Sequence, residues 1–315
     1  MAGALAVAGT GGFARAAEVR LVTLLAGVSP GSGADGLVRA VVPFLTRHLV
    51  STELAVRNLP GEGGLTALKA LADAPASGAT LGWVTSPTLS ARMVDRGADG
   101  LLDRLVLLGA VAREPIAFVS PAASPLESVQ ELIRRAGEDA DAIPLGTPPP
   151  GSPPHLAAMR LQVLTQTRLT IITFPSAAAA RQAVLAGNVS AAALGLSDVI
   201  APLRDGKLVG LGIAARKRAG ILPDLPILTE AGVPLSASIR RGLAAPAGVA
   251  PDIAAPLIAA LQAVSTDPEF QAAADELGLL ATWIDGATWT AQAETERAAL
   301  AKLWDAEPWL QASGG

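Results

Sequence analysis

Apolar residues recur along this chain in short β-prone runs that alternate with Ala/Leu-rich segments of helical period. Residues 19–25, 54–57, 80–84, 105–110, 116–119, 169–174, 189–194 and 208–214 read as strands. Residues 37–49, 65–72, 124–136, 153–165, 176–186 and 197–204 read as helices between them. This alternation predicts an α/β fold of mostly parallel sheets flanked by helices. After Gly248 the pattern turns helical, over 251–265, 268–277 and 287–304, with Pro251 and Pro268 in first turns where a missing N–H costs nothing. Pro43 falls inside the first helix and predicts a kink. Ser124 with Glu127 predicts a capping box. Pro/Ala/Gly-rich segments at 121–125 and 243–248 suit crossings between two halves.

Composition narrows the chemistry. The chain has 315 residues, half of them hydrophobic and 17% charged, which predicts a packed fold of one or two domains. Cysteine and tyrosine are absent and there are two histidines, His48 and His155. Disulfides, thiolate catalysis and Cys-type zinc sites are thereby excluded. No G-x-S-x-G elbow accompanies the histidines, so a serine hydrolase is disfavoured. The net charge of −4 with scattered Lys and Arg gives no footprint for nucleic acid. The small, apolar start ends Ala14-Arg15-Ala16, an A-x-A export signature without a basic region before it. Residues 1–16 read as an incomplete signal peptide, with a mature chain from Ala17.

The densest local signal is Ser29-Pro30-Gly31-Ser32-Gly33-Ala34-Asp35-Gly36, between a strand and a helix. Such a turn presents backbone N–H groups and a helix N-terminus to an anion. Two further strand ends carry comparable loops, Asn58-Leu59-Pro60-Gly61-Glu62-Gly63-Gly64 and Thr85-Ser86-Pro87-Thr88. Ligands of open parallel sheets bind at such carboxyl ends. Gly31-x-Gly33-x-x-Gly36 also matches the dinucleotide fingerprint, with Glu53 downstream. Asp35 at the helix start opposes a pyrophosphate, and the strand-to-glycine spacing is loose. A nucleotide-dependent oxidoreductase therefore remains an alternative.

These loops resemble the periplasmic substrate-binding proteins of tripartite tricarboxylate transporters, the Bug receptors. Residues 30–35 with Arg39 are similar to that family's P-G-G-G-x-D…R segment, and residues 58–64 to its N-R-P-G-A-G-G loop. Gly206-Lys207-Leu208, Leu222-Pro223-Asp224-Leu225-Pro226 and Glu230-Ala231-Gly232 resemble later family motifs, as does Ala245-Pro246-Ala247-Gly248. The resemblance spans nearly the whole mature chain. It implies a two-lobed, type II-like periplasmic-binding-protein fold closing on a small carboxylate, with no cofactor, no metal and no catalytic residue. Lobe 1 is expected from residues 17–121 and 243–315, and lobe 2 from 122–242. The implied ligand-binding residues are Ser29, Gly31, Ser32, Gly33, Asp35, Thr85, Ser86 and Thr88 in lobe 1. In lobe 2 they are Thr147, Gly151, Ser152 and Phe174. A periplasmic monomer serving a membrane permease is expected.

Departures from the family cluster in lobe 2. Its S-G-N-G-T-S-S-H segment reads Thr147-Pro148-Pro149-Pro150-Gly151-Ser152-Pro153-Pro154-His155. Its P-Y-K-G-S reads Thr173-Phe174-Pro175-Ser176-Ala177, its D-N reads Leu194-Gly195, and its W-x-G reads Arg240-Arg241-Gly242. Lobe 2 thus loses polar donors and gains two cations. That favours either a more hydrophobic carboxylate or a receptor, such as a signalling protein, that has lost tight binding. Trp83, just before Val84-Thr85-Ser86, stands apart from the other tryptophans, which read as packing residues.

Overall fold

The computed structural model describes residues 19–123 and 126–310. The expected signal peptide lies outside the described residues, as does Ser124. Strands β1 (Arg20–Ala26), β2 (Thr52–Asn58) and β3 (Thr80–Ser86) are separated by helices α1 (Gly33–Arg47) and α2 (Leu65–Ala72). Helix α3 (Thr88–Asp95) leads to β4 (Leu105–Pro121). Then follow α4 (Val129–Glu138), β5 (Leu145–Thr147), α5 (Pro153–Thr165), β6 (Ile171–Thr173) and α6 (Ala177–Leu185). Next come β7 (Ala191–Gly195), α7 (Leu196–Arg204), β8 (Leu208–Ala214) and β9 (Ser238–Pro246). The chain ends with α8 (Pro251–Thr266), α9 (Pro268–Glu276), β10 (Leu280–Asp285) and α10 (Gly286–Ala306).

The parallel strands expected from the alternation are present as β2-β1-β3 and β6-β5-β7. Both sets become mixed, the first where β9 pairs antiparallel with β3 and the second where β4 pairs antiparallel with β7. The 17-residue β4 serves both sets. Residues Leu105–Pro115 pair with β9, and Ile116–Pro121 pair with β8, the stretch Ile116–Val119 also with β7. Of the two expected connectors, Pro121 closes β4 and Leu243–Pro246 lies within β9. The halves are therefore joined by the continuous strand β4 and by the segment that enters β9 at Ser238.

Alternation along the strands builds the layers. In the first half Leu24, Trp83 and Leu243 face α1, α8 and α9, whereas Leu25, Val84 and Ala244 face α2, α3 and α10. In the second half Ile116 and Phe118 pack towards α4 and α5, whereas Ala117 and Val119 pack towards α6 and α7. Helix α1 continues through Pro43 as one element. Helix α4 starts later than expected. Ser128 caps it by accepting from the Glu131 N–H, and the Glu131 carboxylate accepts from the Glu127 N–H. Among the described residues no helix is long and apolar enough to cross a membrane.

Candidate functional site

A cavity of about 240 Å³ lies between the two halves. The first half supplies Gly27, Val28 and Ala34 from the turn after β1, Gly63 and Gly64 before α2, and Trp83, Thr85 and Thr88 around the end of β3. The second supplies Pro148, Ser152, Pro153, Pro154, Ala177, Gly195 and Asp198. Glu114 and Ile239 with Arg241, from the joining strands β4 and β9, complete the lining. The site thus sits at carboxyl ends of parallel strands in both halves, where helix starts point at a ligand.

Its charged groups are organised by one ion pair. Glu114 is almost wholly buried and pairs with Arg241. The other Glu114 carboxylate oxygen accepts from Ser197, N–H at 3.2 Å and Oγ at 2.5 Å. Gly195 permits this approach, because a Cβ there would lie 2.2 Å from Glu114 Oε1. Asp198 stands beside the pair. Burial, then the like charge of Glu114, push its carboxyl up to about 7. A neutral Asp198 can donate a hydrogen bond, which an ionised one cannot.

Among the described residues, three lining side chains carry buried polar atoms without a partner: Trp83 Nε1, Ser152 Oγ and Arg241 Nε. Buried polar groups are ordinarily paired. Two of these atoms are obligate donors and the third is a hydroxyl. Together they suit an anionic acceptor, with an apolar body lying against Val28, Ala34, Ala67, Pro153 and Ile239.

Of the sequence-derived candidates, the structure brings Thr85, Thr88 and Ser152 to the cavity wall. Ser29, Gly31, Ser32 and Asp35 form the supporting turn beside it. Asp35 accepts from Arg39, Asn58 and the Gly31 N–H, and these bonds, Arg39 foremost, hold its carboxyl down at about 2. Ser32 caps α1 through the Asp35 N–H. Gly33 faces across to the second half, where a Cβ would stand 3.5 Å from Asp198 Oδ1. Ser86 is fully buried, and its Oγ accepts from Trp289 Nε1 at 2.8 Å and Arg240 Nε at 3.1 Å. Thr147 is buried with its hydroxyl bonded to the Pro148 carbonyl, and Phe174 packs among the apolar residues under α6. Gly151 joins the halves: its carbonyl accepts from Arg92 Nη2 at 3.2 Å. With φ at +71° and a Cβ that would sit 2.1 Å from Arg92 Nη2, the position requires glycine.

The fingerprint reading of the Gly31–Gly36 turn fails on the same geometry. The Gly31 N–H is bonded to Asp35, and none of the three glycines lines the cavity. Sequence reasoning passed over Glu114 and Asp198. The loss of an acceptor expected at Leu194-Gly195 is made good by Asp198, three residues along and inside α7. An isolated acid in a helical first turn reads as a cap, so only the fold reveals its partner Glu114.

The fold is that of the two-lobed periplasmic binding proteins. An R. palustris protein, Rpa4515, solved with adipate, superposes with a TM-score of 0.80 at 25% identity, covering 91% of this chain and 96% of that one. MatC from Rhodopseudomonas palustris, solved with bound malate, gives 0.76 at 22% identity, over 90% of this chain and 99% of that one. In sequence, a UPF0065 protein of Bordetella bronchiseptica is 26% identical over 252 residues, 79% of this chain and 74% of that protein. The model of the tripartite tricarboxylate transporter family receptor matches residues 38–297, and the chain belongs to that family. It is a solute-binding receptor by descent, not an oxidoreductase.

Proposed function

We propose that this chain is an exported receptor that closes its two lobes on a small, apolar-bodied carboxylate and presents it to the permease of a tripartite transporter. That Trp83, Ser152 and Arg241 all line this one cavity, and that Trp83 Nε1, Ser152 Oγ and Arg241 Nε have no partner among the described residues, is the observation that carries the reading. Trp83 belongs to the first half, Ser152 to the second, and Arg241 to the joining strand. A carboxylate meeting all three therefore favours the closed arrangement, which is what ligand-driven closure requires. We draw the lobe boundary where β4 changes partners, between Pro115 and Ile116, and at Ser238 on the return. Adipate and malate in the relatives are small dicarboxylates of the same kind. The apolar wall here favours a methylene-rich body over a hydroxylated one. Each hydrogen bond to the charged group supplies roughly 1.5–3 kcal/mol, so a few suffice for micromolar affinity.

A thermal-shift panel of mono-, di- and tricarboxylates with NAD, on the chain from Ala17, tests this. A ligand at about 100 times its Kd stabilises by roughly 2.7 kcal/mol, a shift of several degrees. A carboxylate response is expected. A response to NAD alone, or to nothing in the panel, overturns the proposal.

A further inference from the structure

On the other face of the joining strands lies a second cavity, of about 530 Å³. Its position follows from strand alternation: Arg241 and Glu114 face the cleft, whereas their neighbours Arg240 and Arg113 face this cavity. Helix α5 of the second half and α10 of the first form its side walls. Its charge is one-sided. Among the described residues Arg113, Arg160, Arg216, Arg240 and Lys302 line it, against Glu296 as the one lining carboxylate.

Arg113 and Arg240 are directly paired across the antiparallel strands. Like charges placed so are destabilising. Glu296 pairs with Arg240. Arg113 has no ion pair of its own among the described residues, and its Nε is buried without a partner. Burial, then the charges of Arg240 and Arg216, hold the Arg113 guanidinium below its ordinary range. Arg160, Arg216 and Lys302 stand exposed around the rim, with no ion pair among the described residues. The walls between floor and rim are apolar, built from Leu156, Leu300 and Leu303. A cationic floor and rim with an aliphatic wall between them match a molecule with one anionic end and a hydrocarbon body. The volume falls in the range of small-molecule sites.

We propose that this cavity is a second ligand site, which takes an amphiphilic organic anion of the medium-chain carboxylate type. It is separate from the cleft, and it stands whatever the cleft binds. The concave shape favours a small molecule over a protein partner.

The test is titration calorimetry on the chain from Ala17, with octanoate as the amphiphilic probe and inorganic phosphate as the purely ionic one. Ala177→Trp fills the cleft and leaves the second cavity untouched. Ala34→Trp, from the opposite wall, serves as a second block should the first variant not fold. Arg160→Gln with Arg216→Gln removes two exposed rim charges that the fold does not need. Octanoate is expected to bind wild type and the blocked-cleft variant alike, with phosphate at least tenfold weaker. The rim double variant is expected to lose about tenfold. Octanoate binding that Ala177→Trp abolishes and the rim variant leaves unchanged assigns the probe to the cleft and overturns the proposal. Equal affinity for phosphate overturns the amphiphile class. Absence of octanoate binding at millimolar concentration overturns the site, leaving the cations as solvated charge or as a face for an acidic protein.

Discussion

Asp198→Asn isolates the raised carboxyl in the cleft, read here as a donor to the bound carboxylate. The wild-type carboxyl, pushed up to about 7, is mainly neutral at pH 6 and mainly ionised at pH 8. In the neutral form it donates to a bound carboxylate; in the ionised form it repels one. The protonated fraction falls roughly tenfold over those two pH units, which is about 1.4 kcal/mol of binding free energy. Adipate, the probe, is largely ionised throughout. Calorimetric titration of wild type at pH 6, 7 and 8 is therefore expected to show affinity falling about tenfold, most of it above pH 7. The substituted amide keeps a donor and carries no charge, so the variant is expected to give a flat profile. The same substitution has a stability signature of defined sign. A carboxyl whose folded pKa lies above its unfolded value contributes stability at low pH, lost as pH rises through the folded pKa. Asp198→Asn is therefore expected to raise Tm most at pH 8, less at pH 5, and little below about pH 3.8. A wild-type affinity independent of pH, or a variant with the same slope as wild type, refutes the reasoning.

Other substitutions separate binding from support. Trp83→Phe removes an unpartnered indole N–H; carboxylate affinity is expected to fall about tenfold or more with Tm nearly unchanged, read by calorimetry and thermal melts. Arg241→Met leaves Glu114 buried and unpaired, at a cost of about 3–5 kcal/mol in denaturant melts. The double variant with Glu114→Gln is expected to recover most of that loss. Ser86→Ala strands the Arg240 and Trp289 donors; the expected loss is about 2–4 kcal/mol of stability, with ligand affinity in the remaining folded protein unchanged. Burial holds His155 down at about 4. The unfolded chain takes that proton first, so stability is complete above about pH 6.5 and falls as pH drops towards 4. The loss is on the order of 3 kcal/mol, and His155→Asn is expected to flatten the Tm profile in that window.

Much of this was legible in the chain because period and turn chemistry are local. The alternation of β1, β2 and β3 with α1 and α2, and the loops at residues 29–36, 58–64 and 85–88, were readable from neighbours within a few residues. What escaped depends on distant partners. Strand β9, Ser-Ile-Arg-Arg-Gly-Leu-Ala-Ala-Pro, looks like a connector because its glycine and alanines have weak β propensity. It is a strand because β3 and β4 flank it on both edges, leaving its backbone no other partner. Strand β10 is a short segment set between helices, and its partner is β4. The donors of the first lobe were expected at Ser29, Gly31 and Ser86, where the family's loops lie. In the fold the exposed turn binds itself, with the Gly31 N–H donating to Asp35 and the Ser32 hydroxyl to the Ser29 carbonyl, while Ser86 is buried and anchors Trp289. Glu114 and Arg241 are 127 positions apart, and no local pattern joins them. The two cations noted at Arg240 and Arg241 proved to face opposite sides of one strand, so one belongs to the cleft and the other to the cavity behind it.

The most direct measurement is a crystal structure of the chain from Ala17 with the carboxylate that gives the largest thermal shift. A carboxylate group is expected between the lobes, with its oxygens within about 3.2 Å of Trp83 Nε1, Ser152 Oγ and Arg241 Nε. A carboxylate bound elsewhere, or one in the cleft that leaves these three atoms without a partner, contradicts it.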